Sequence, residues 1–449
     1  MDTPTLLDHL RTHDTALTLP RGGTLRWDDA DLHRAAHRRD PEGYALLALA
    51  PGVLPWQRAR VLLRILEATQ AGLDEPARAV LARLARVLTL GLPPAHVITV
   101  LLALRRLRAN HKHTTRTALR FVLEHPGADA LIAARRPALL DCFEHALGTA
   151  TARGCARRIA DGDTTSDYLR RRLLRFLATP RTAPARVRAL YATGPNGTAD
   201  DPAEPALTEP ALTLDAPRAR PATAAVTATD RGDIAATLVH LYRGGPAAAL
   251  YEALGRHLDE AAAAFPRFPG TVALVLDASA SMRGHGAREW ALMSQAAALR
   301  MVLSEVCDRL EVVETGGDER APRGATDLAT GVLDALGADP DLVAVVSDGH
   351  ENLFPGDLAR VIATLPAAGV TTPVVFCHAA FTADDDPAPR HPAPSLPRRA
   401  FWHQDDFADL LPWMLGHCAA GAPWLRAVLR TRLDDLDRRA DALTPGLAA

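Results

Sequence analysis

The hydrophobic pattern of the chain changes near its middle. In the first half, apolar residues recur three and four positions apart, which is the spacing of one face of a helix; examples are Leu62, Leu63 and Leu66. Proline-containing turns at 74–76 and 91–94 separate these segments. We therefore predict helices of about 12–18 residues, stacked as antiparallel pairs in an α-solenoid. Because no clean sequence repeat is present, HEAT-like repeats would be divergent. Further helix pairs are predicted at 114–124 with 131–148 and at 166–178 with 184–192.

The second half contains continuous apolar runs instead. Val272–Leu276 and Leu342–Val346 have no polar alternation, which is typical of strands buried on both faces of a parallel sheet. A third strand is predicted at Val370–Cys377. Helical patterns surround these strands, so the fold class is multidomain: an N-terminal HEAT-like all-helical domain and then a doubly wound, mostly parallel α/β domain. Helices are predicted at 234–242, 247–264, 356–365, 407–415 and 424–440.

Composition suggests where the domains begin and end. Residues 193–229 are rich in Pro, Ala, Thr and acids and poor in large apolar side chains, which indicates a linker or surface loop. We predict a helical domain over 1–192, leading helices over 230–269, the α/β domain over 270–420 and a C-terminal helix over 421–449. A small hairpin is predicted at Thr18–Trp27, ahead of the helices.

Polar side chains follow the predicted strands. Asp277, Ser279 and Ser281 come directly after the first strand, in the order Asp-x-Ser-x-Ser. Ligands of open parallel sheets bind outside the carboxyl ends of the strands, and hard oxygen donors suit Mg²⁺. We therefore predict a divalent-cation site, Mg²⁺ or another, at this edge. A simpler alternative is that Asp277 and Ser279 only cap the helix that follows.

Two later segments supply the partners that such a site needs. Gly324-Ala325-Thr326-Asp327 enters a helical pattern, and Ser347-Asp348-Gly349 ends the second strand. This order resembles the von Willebrand factor A (vWA) domain and its metal-ion-dependent adhesion site. The resemblance implies that the metal is held, directly or through water, by five residues: Asp277, Ser279, Ser281, Thr326 and Asp348. It also implies that an acidic ligand from a protein partner completes the coordination.

A helical half followed by this domain resembles the TROVE–vWA proteins of the Ro ribonucleoprotein family. The likeness is carried by the helix, turn and strand of 248–282, by the loops GATDL and SDGHENLFPG, and by DFADLLPWML. Ala325 stands where that family has a glycine, and Asp348-Gly349 replaces its Asp-Asn. The resemblance implies that the helical domain binds small structured or misfolded RNA.

Charge is unevenly distributed along the chain. Residues 101–190 contain 18 Arg and Lys against 7 Asp and Glu, whereas residues 271–420 contain 10 against 21. Guanidinium groups bind phosphates and stack on bases, so two basic runs are the candidate RNA contacts. The alternatives are solvated helix faces or surfaces that dock the acidic half. The first run is Arg105, Arg106, Arg108, His111, Lys112, His113 and Arg116, and the second is Arg170, Arg171, Arg172 and Arg175.

These features favour a binding protein over an enzyme. His350 and Glu351 follow Asp348 and could act as acid–base groups, but on a strand-to-loop exit we expect them to face solvent. The alternative function is an RNA-independent interaction scaffold or cochaperone that works with an AAA-type ATPase or a defence complex. Five widely spaced cysteines indicate reduced thiols. With no signal peptide or apolar span evident, we expect a bacterial cytoplasmic protein that does not bind membranes.

Overall fold

The structure is a computed structural model that describes residues 3–20, 23–192, 204–215, 233–263, 265–382, 385 and 390–443. It divides into two compact units. We call Met1–Ala216 with Leu429–Ala449 the helical unit, and Pro217–Val428 the sheet unit. The fold class predicted from the sequence, helices followed by a parallel α/β sheet, is confirmed.

The helical unit contains two rows of helices. Helices α2, α4, α6 and α8 contact one another in succession, and α3, α5 and α7 form the second row. Such a two-row stack is the arrangement of an α-solenoid. The bounds are α1 Thr3–Thr12, α2 Ala30–Arg39, α3 Pro41–Leu47, α4 Pro55–Glu67, α5 Glu75–Gly91, α6 Pro94–Leu107, α7 Lys112–Glu124, α8 Ala128–Leu147, α9 Thr149–Ala160, α10 Asp167–Arg172, α11 Ala183–Leu190 and α12 Glu204–Thr208.

Local sequence explains where several of these helices begin. Asp40 and Asp74 occupy the N-cap positions of α3 and α5, and each carboxylate accepts a hydrogen bond from a backbone amide of the first turn. A proline follows in the first turn, where a missing N–H costs nothing. The predicted helix 166–178 is shorter than expected, because α10 ends at Arg172 and a 3₁₀ turn, Leu174–Phe176, follows. At the predicted hairpin, Thr18 and Arg26 form a single antiparallel bridge; Arg21 and Gly22 lie outside the described residues.

Part of the predicted linker is packed into the helical unit. Among the described residues 204–215, the side chains of Leu207, Leu212 and Leu214 are buried. The Leu212 amide donates to the Leu90 carbonyl at 2.9 Å, and the Leu214 side chain lies so close to Gly91 that a Cβ there would clash with it. The leucines of this part of the predicted linker or surface loop therefore pack against residues that are far away in the sequence. The remaining residues, 193–203 and 216–229, lie outside the described part.

The predicted C-terminal helix is divided between the two units. Helix α20 spans Gly421–Leu443, and the unit boundary falls at Leu429. In the sheet unit, Trp424 donates from Nε1 to the Pro266 carbonyl at 2.8 Å. In the helical unit, the later part of α20 carries three aspartates that pair with Arg83 and Arg86, namely Asp434, Asp437 and Asp441.

Among its described residues, the sheet unit has five parallel strands in the order β2-β1-β3-β4-β5. Its elements are α13 Ile234–Tyr242, α14 Ala247–Ala262, β1 Phe268–Asp277, α15 Ala280–Arg283, α16 Ala291–Val306, β2 Cys307–Thr315, α17 Leu328–Leu336, β3 Leu342–Ser347, α18 Asp357–Thr364, β4 Val374–Ala379, β5 Arg398–Phe401, α19 Phe407–Leu415 and α20. Strands β2 and β5, which the hydrophobic pattern does not predict, are the two edges. The third predicted strand, Val370–Cys377, corresponds to β4, which begins four residues later and ends two residues later.

The strand order fixes where a ligand would bind. The connection after β1 leads to β2 on one side of it, whereas the connection after β3 leads to β4 on the opposite side. The two connections therefore diverge between the carboxyl ends of β1 and β3. In doubly wound sheets of this order, that divergence opens the binding crevice. Strand β3 is fully buried, and β1 is buried from Val272 onward. Ala273, Val275, Val343 and Val345 pack against α17 and α18 in one apolar cluster.

Two further predictions concern cysteines and membranes. All five cysteines are buried and unpaired, as expected for reduced thiols. Within the described ranges, no helix combines the length and apolarity needed to cross a membrane.

Candidate metal centre

Asp277 is the centre of the candidate site. It is the last residue of β1, and its side chain is fully buried. Its Oδ1 accepts a hydrogen bond from the Ser279 amide at 3.0 Å and lies 3.5 Å from the Thr326 hydroxyl. Its Oδ2 accepts a 2.6 Å hydrogen bond from the Ser347 hydroxyl. The Ser279 amide, the Thr326 hydroxyl and the Ser347 hydroxyl at the end of β3 therefore surround one buried carboxylate.

The two serines of the first loop lie side by side. The Oγ atoms of Ser279 and Ser281 are 3.1 Å apart; Ser279 is buried and Ser281 is half-buried. Ser279 occupies the N-cap position of α15, but its side chain makes no capping hydrogen bond. Asp277 and Ser279 therefore do more than cap this helix. The Ser279 hydroxyl lies beside the Ser281 hydroxyl, and the Asp277 carboxylate accepts the Ser279 amide of the loop.

Backbone hydrogen bonds hold the second loop against the first. The Ala280 amide donates to the Gly324 carbonyl at 3.2 Å, and the Arg323 amide donates to the Ala278 carbonyl at 3.0 Å. Gly316, which follows β2, has φ near +90°, and a Cβ there would lie 2.9 Å from the Ser279 Cα. This close approach requires glycine. It brings Thr326, which is fully buried, to the carboxylate of Asp277.

The third loop supplies Asp348, which follows β3 directly. Its side chain is almost entirely buried, and its Oδ1 accepts a hydrogen bond from the His350 amide at 3.1 Å. The next residue, Gly349, has φ near +85°, and a Cβ there would collide with the Arg390 carbonyl. Asp348 is close enough to Asp277 for its charge to perturb that carboxyl.

The electrostatics of the site favour a bound cation. Burial raises the pKa of Asp277 to about 6, and the charge of Asp348 raises it too, against the lowering effect of the hydrogen bonds from Ser347 and Ser279. A cation between the carboxylates would offset this cost. The donor set fits Mg²⁺, because carboxylate and hydroxyl oxygens are the hard ligands that this ion selects.

Ser347 contacts the site directly, and His378 lies beside the third loop, where a Cβ on Gly349 would lie 2.8 Å from its Cε1. The Ser347 hydroxyl donates to Asp277 and also accepts a hydrogen bond from the Gly349 amide at 3.0 Å. The sequence feature that could have identified Ser347 as a site residue is its place at the end of a strand, just before Asp348. His378, at the end of β4, is buried, and neither ring nitrogen has a hydrogen-bond partner among the described residues. Burial lowers the pKa of His378 to about 4.

The two candidate acid–base residues are placed differently. His350 is exposed. Glu351 is half-buried, and its carboxylate accepts hydrogen bonds from the Gly356 and Leu358 amides at the start of α18. Its charge therefore stabilises a helix N-terminus.

The first basic run does not form one open surface. Arg105 pairs with Asp141 at 2.8 Å, and Arg106 donates to the carbonyls of Pro20 and Gly23. The His111 ring lies 3.1 Å from the Glu67 carbonyl. Arg108 is an exposed C-cap with φ near +54°, Lys112 is exposed, and Arg116 lines a cavity of about 120 Å³ with His113 and Arg120.

The second basic run is more accessible. Arg170, Arg171, Arg172 and Arg175 are all exposed on α10 and the 3₁₀ turn after it. Arg170 and Arg171 lie 3.6 and 3.8 Å from the exposed carboxylate of Asp167, distances typical of weak surface pairs. The Arg175 guanidinium stacks on Phe176 at 4.7 Å from the ring centroid.

The fold is a doubly wound α/β domain, with a cluster of carboxylate and hydroxyl oxygens at the carboxyl ends of its central strands, preceded by a helical solenoid. No protein-family model matches the chain, and no curated protein matches it. Among solved structures, the chain is similar to the Ro (RSR) protein of Deinococcus radiodurans, with 14% sequence identity, a TM-score of 0.37, and coverage of 95% of this chain and 99% of that chain. This neighbour is a Ro protein, the family that the sequence motifs resemble.

Proposed function

We propose that the sheet unit binds Mg²⁺, or another hard divalent cation, and uses it to bind a carboxylate of a protein partner. The convergence of Asp277, Thr326 and the Ser279–Ser281 pair at the divergence of β1 and β3 carries this proposal. Asp348 adds a second carboxylate. Mg²⁺ requires near-octahedral coordination and retains water where the protein supplies few ligands. A carboxylate from a partner can replace such a water.

The surface beside the site supports a protein as that partner. Leu353 and Phe354 lie in the loop that follows Asp348 and are 48% and 53% exposed. The Leu353 amide donates to the Thr326 carbonyl at 3.2 Å, so this apolar pair is tied to the metal loop. Apolar side chains next to a charged anchor are characteristic of protein interfaces.

The first experiment measures the cation alone. Chelator-treated protein is titrated with MgCl₂ by calorimetry, and Mn²⁺ binding is followed by electron paramagnetic resonance. We expect one site per chain in the sheet unit, weakened at least tenfold by Thr326→Val because a ligand oxygen is removed. Thr330→Val is the matched control, since Thr330 is exposed and bonds Asp327 instead. Equal affinities of the two variants would remove Thr326 from the site.

We propose that the chain is a binding scaffold and has no catalytic role at this site. Of the two candidate acid–base residues after Asp348, Glu351 accepts hydrogen bonds from two backbone amides, and His350 is exposed. Two carboxylates and three hydroxyls can hold a cation without activating a nucleophile. A metal-dependent hydrolytic activity that is lost in Asp277→Asn would contradict this.

RNA binding by the helical unit is the second part of the proposal. The exposed guanidinium groups of Arg170, Arg171, Arg172 and Arg175 support it, since arginines with only weak surface partners can bind phosphates. Phosphate contacts produce salt-sensitive affinity with little sequence preference. The resemblance of the sequence motifs to the Ro family implies small structured RNA as the ligand. The alternative is an RNA-independent scaffold that serves an AAA-type ATPase or a defence complex.

Filter binding with a structured RNA hairpin distinguishes these two functions. We expect binding at low salt that the triple change Arg170→Gln, Arg171→Gln and Arg172→Gln weakens. The salt slope should fall by roughly one for each arginine that contacts a phosphate. The control makes the same change at three exposed arginines of the sheet unit, Arg256, Arg309 and Arg360. Wild-type protein that binds no RNA at low salt would favour the alternative.

A further inference from the structure

A cluster of histidine and aspartate side chains lies in the helical unit, far along the sequence from the candidate metal centre. His9 belongs to α1 and His13 follows that helix, while Asp29 precedes α2 and His33 lies within it. We call these four residues the histidine cluster. Their imidazole Nε2 atoms approach one carboxylate oxygen, Oδ2 of Asp29, which lies 2.8 Å from His9, 3.4 Å from His33 and 3.8 Å from His13.

We propose that the histidine cluster binds a transition-metal ion of the Zn²⁺ type through His9, His33 and Asp29. Zn²⁺ binds imidazole nitrogen at about 2.0–2.1 Å in tetrahedral geometry, so neighbouring ligand atoms lie roughly 3.3 Å apart. The separations from Asp29 Oδ2 bracket this value. The ligand atoms of His9, Asp29 and His33 all lie within 4.8 Å of one another. His13 belongs to a second such group, with Asp28 and Asp29.

The ligand types select a different metal from that of the sheet unit. Imidazole nitrogens suit Zn²⁺, Ni²⁺ or Cu²⁺, whereas Mg²⁺ and Ca²⁺ prefer oxygen. The chain therefore has one all-oxygen candidate site and one nitrogen-rich candidate site, which different cations should occupy.

Asp29 supplies an independent indication of a missing ligand. Its side chain is only 7% exposed, and its Oδ1 is buried without a hydrogen-bond partner among the described residues. Asp29 also holds the N-cap position of α2, yet its side chain makes no capping hydrogen bond. An aspartate at an N-cap ordinarily accepts from a first-turn amide. Here the carboxylate faces the histidines instead.

Residues around the cluster orient it as they would around a metal. The Tyr44 hydroxyl lies 2.7 Å from Nδ1 of His33, which leaves Nε2 facing Asp29. Such a contact on the far nitrogen fixes the ring of a metal-binding histidine. The Gln57 side-chain amide contacts both partners: its Oε1 lies 3.0 Å from His33 Nε2, and its Nε2 donates to Asp29 Oδ2 at 3.0 Å. An ion bound at His33 Nε2 would displace Gln57 Oε1 from that nitrogen.

The charges leave room for a cation. Arg60 is fully buried and pairs with both Asp28 and Asp29. With neutral histidines, one guanidinium and two carboxylates have a net charge of −1. Arg60 contacts Asp29 at Oδ2, the oxygen that the histidines approach, whereas Oδ1 has no hydrogen-bond partner among the described residues. Ion binding therefore requires the carboxylate to turn, so that one oxygen keeps Arg60 and the other binds the ion. Side-chain exposures of 22% for His9 and 31% for His13 give an ion access from solvent.

The test titrates the full chain, after chelator treatment, with Zn²⁺ in competition with a chromophoric chelator. Excess Mg²⁺ is present to occupy the sheet-unit site. We expect one Zn²⁺ per chain that His9→Asn weakens at least tenfold. His9 is partly exposed, so this variant should fold, and circular dichroism checks that it does. Cobalt substitution should produce the visible absorption bands of tetrahedral Co²⁺.

Two controls separate this site from other zinc binding. His285→Asn, at an exposed histidine of the sheet unit, should leave the Zn²⁺ affinity unchanged. Asp277→Asn should also leave it unchanged, since the two sites share no residue. No Zn²⁺ binding, or equal affinities of wild type and His9→Asn, would overturn the proposal and assign the cluster to a hydrogen-bond network around Arg60.

Discussion

Replacement of Asp277 by asparagine should stabilise the metal-free sheet unit while it abolishes cation binding. The side chain is fully buried, and its pKa is raised from 3.8 to about 6, mainly by burial. Asparagine has nearly the same shape and can still accept the Ser279 amide through its oxygen. Its amide can donate to Ser347 Oγ. The substitution therefore removes the buried charge and keeps the loop.

The magnitude follows from the pKa shift. A difference of about two units corresponds to ~3 kcal/mol at 1.36 kcal/mol per unit. The pKa of Asp277 is higher in the folded state than in the unfolded state. Below pH 3.8 the carboxyl is protonated in both states, so it does not lower the free energy of unfolding. The cost grows as the pH rises and is complete above about pH 6. We therefore expect Asp277→Asn to gain up to ~3 kcal/mol at pH 8 in chelator and almost nothing near pH 4. Added Mg²⁺ should stabilise the wild type alone, by ~2.7 kcal/mol at one hundred times Kd.

The assay must report the sheet unit alone, since a chain with two units need not unfold in one step. Urea denaturation read out by hydrogen exchange of peptides that cover β1 and β3 meets this need. Asp334→Asn, at an exposed carboxylate on α17, is the control and should change little. The reasoning is refuted if Asp277→Asn is less stable than wild type at pH 8 in chelator, or if Mg²⁺ stabilises the variant equally.

Three further predictions test other parts of the structure. Gly349→Ala should destabilise the sheet unit by more than ~1 kcal/mol and weaken Mg²⁺ binding. The reason is that φ is positive at this residue and the new Cβ would collide with the Arg390 carbonyl. An unchanged Mg²⁺ affinity in calorimetry would contradict this prediction. His403→Gln should destabilise the sheet unit more at pH 5.5 than at pH 9. The hydrogen bond to Asp233 at 3.0 Å raises the pKa of His403 in the folded state. The stabilisation by this pair is therefore complete below the pKa of the histidine in the unfolded chain and is lost as the pH rises. Urea midpoints that shift equally at both pH values would disprove this prediction. Leu214→Ala should lower the free energy of unfolding of the helical unit by ~2–5 kcal/mol, because this side chain is buried against Gly91. Urea denaturation measures the change. A loss below about 0.5 kcal/mol, as at exposed positions, would show that the segment does not pack there.

The sequence predicts the central strands well and the edge strands poorly. Strands β1 and β3 are buried on both faces, so their apolar runs are continuous. In β2, Asp308, Glu311 and Glu314 interrupt the apolar residues, because this edge strand is partly exposed. Strand β5 has four residues, too few for a pattern.

Long-range packing accounts for the other differences. Nothing near Leu212 and Leu214 in sequence identifies their contacts with Leu90 and Gly91. The five predicted metal ligands follow the order of the loops, and the structure places Thr326 beside Asp277. The histidine cluster has only the pairs His9–His13 and Asp29–His33 as local signals, and their meeting depends on how α1 and α2 pack.

Manganese soaked into crystals of the protein, located by anomalous scattering, tests the central claim most directly. We predict one strong peak at the carboxyl ends of β1 and β3, within about 2.5 Å of oxygens contributed by the Asp277, Thr326 and Asp348 loops. A map with no peak at these oxygens at saturating Mn²⁺, or with its strongest peak elsewhere in the sheet unit, would contradict the assignment.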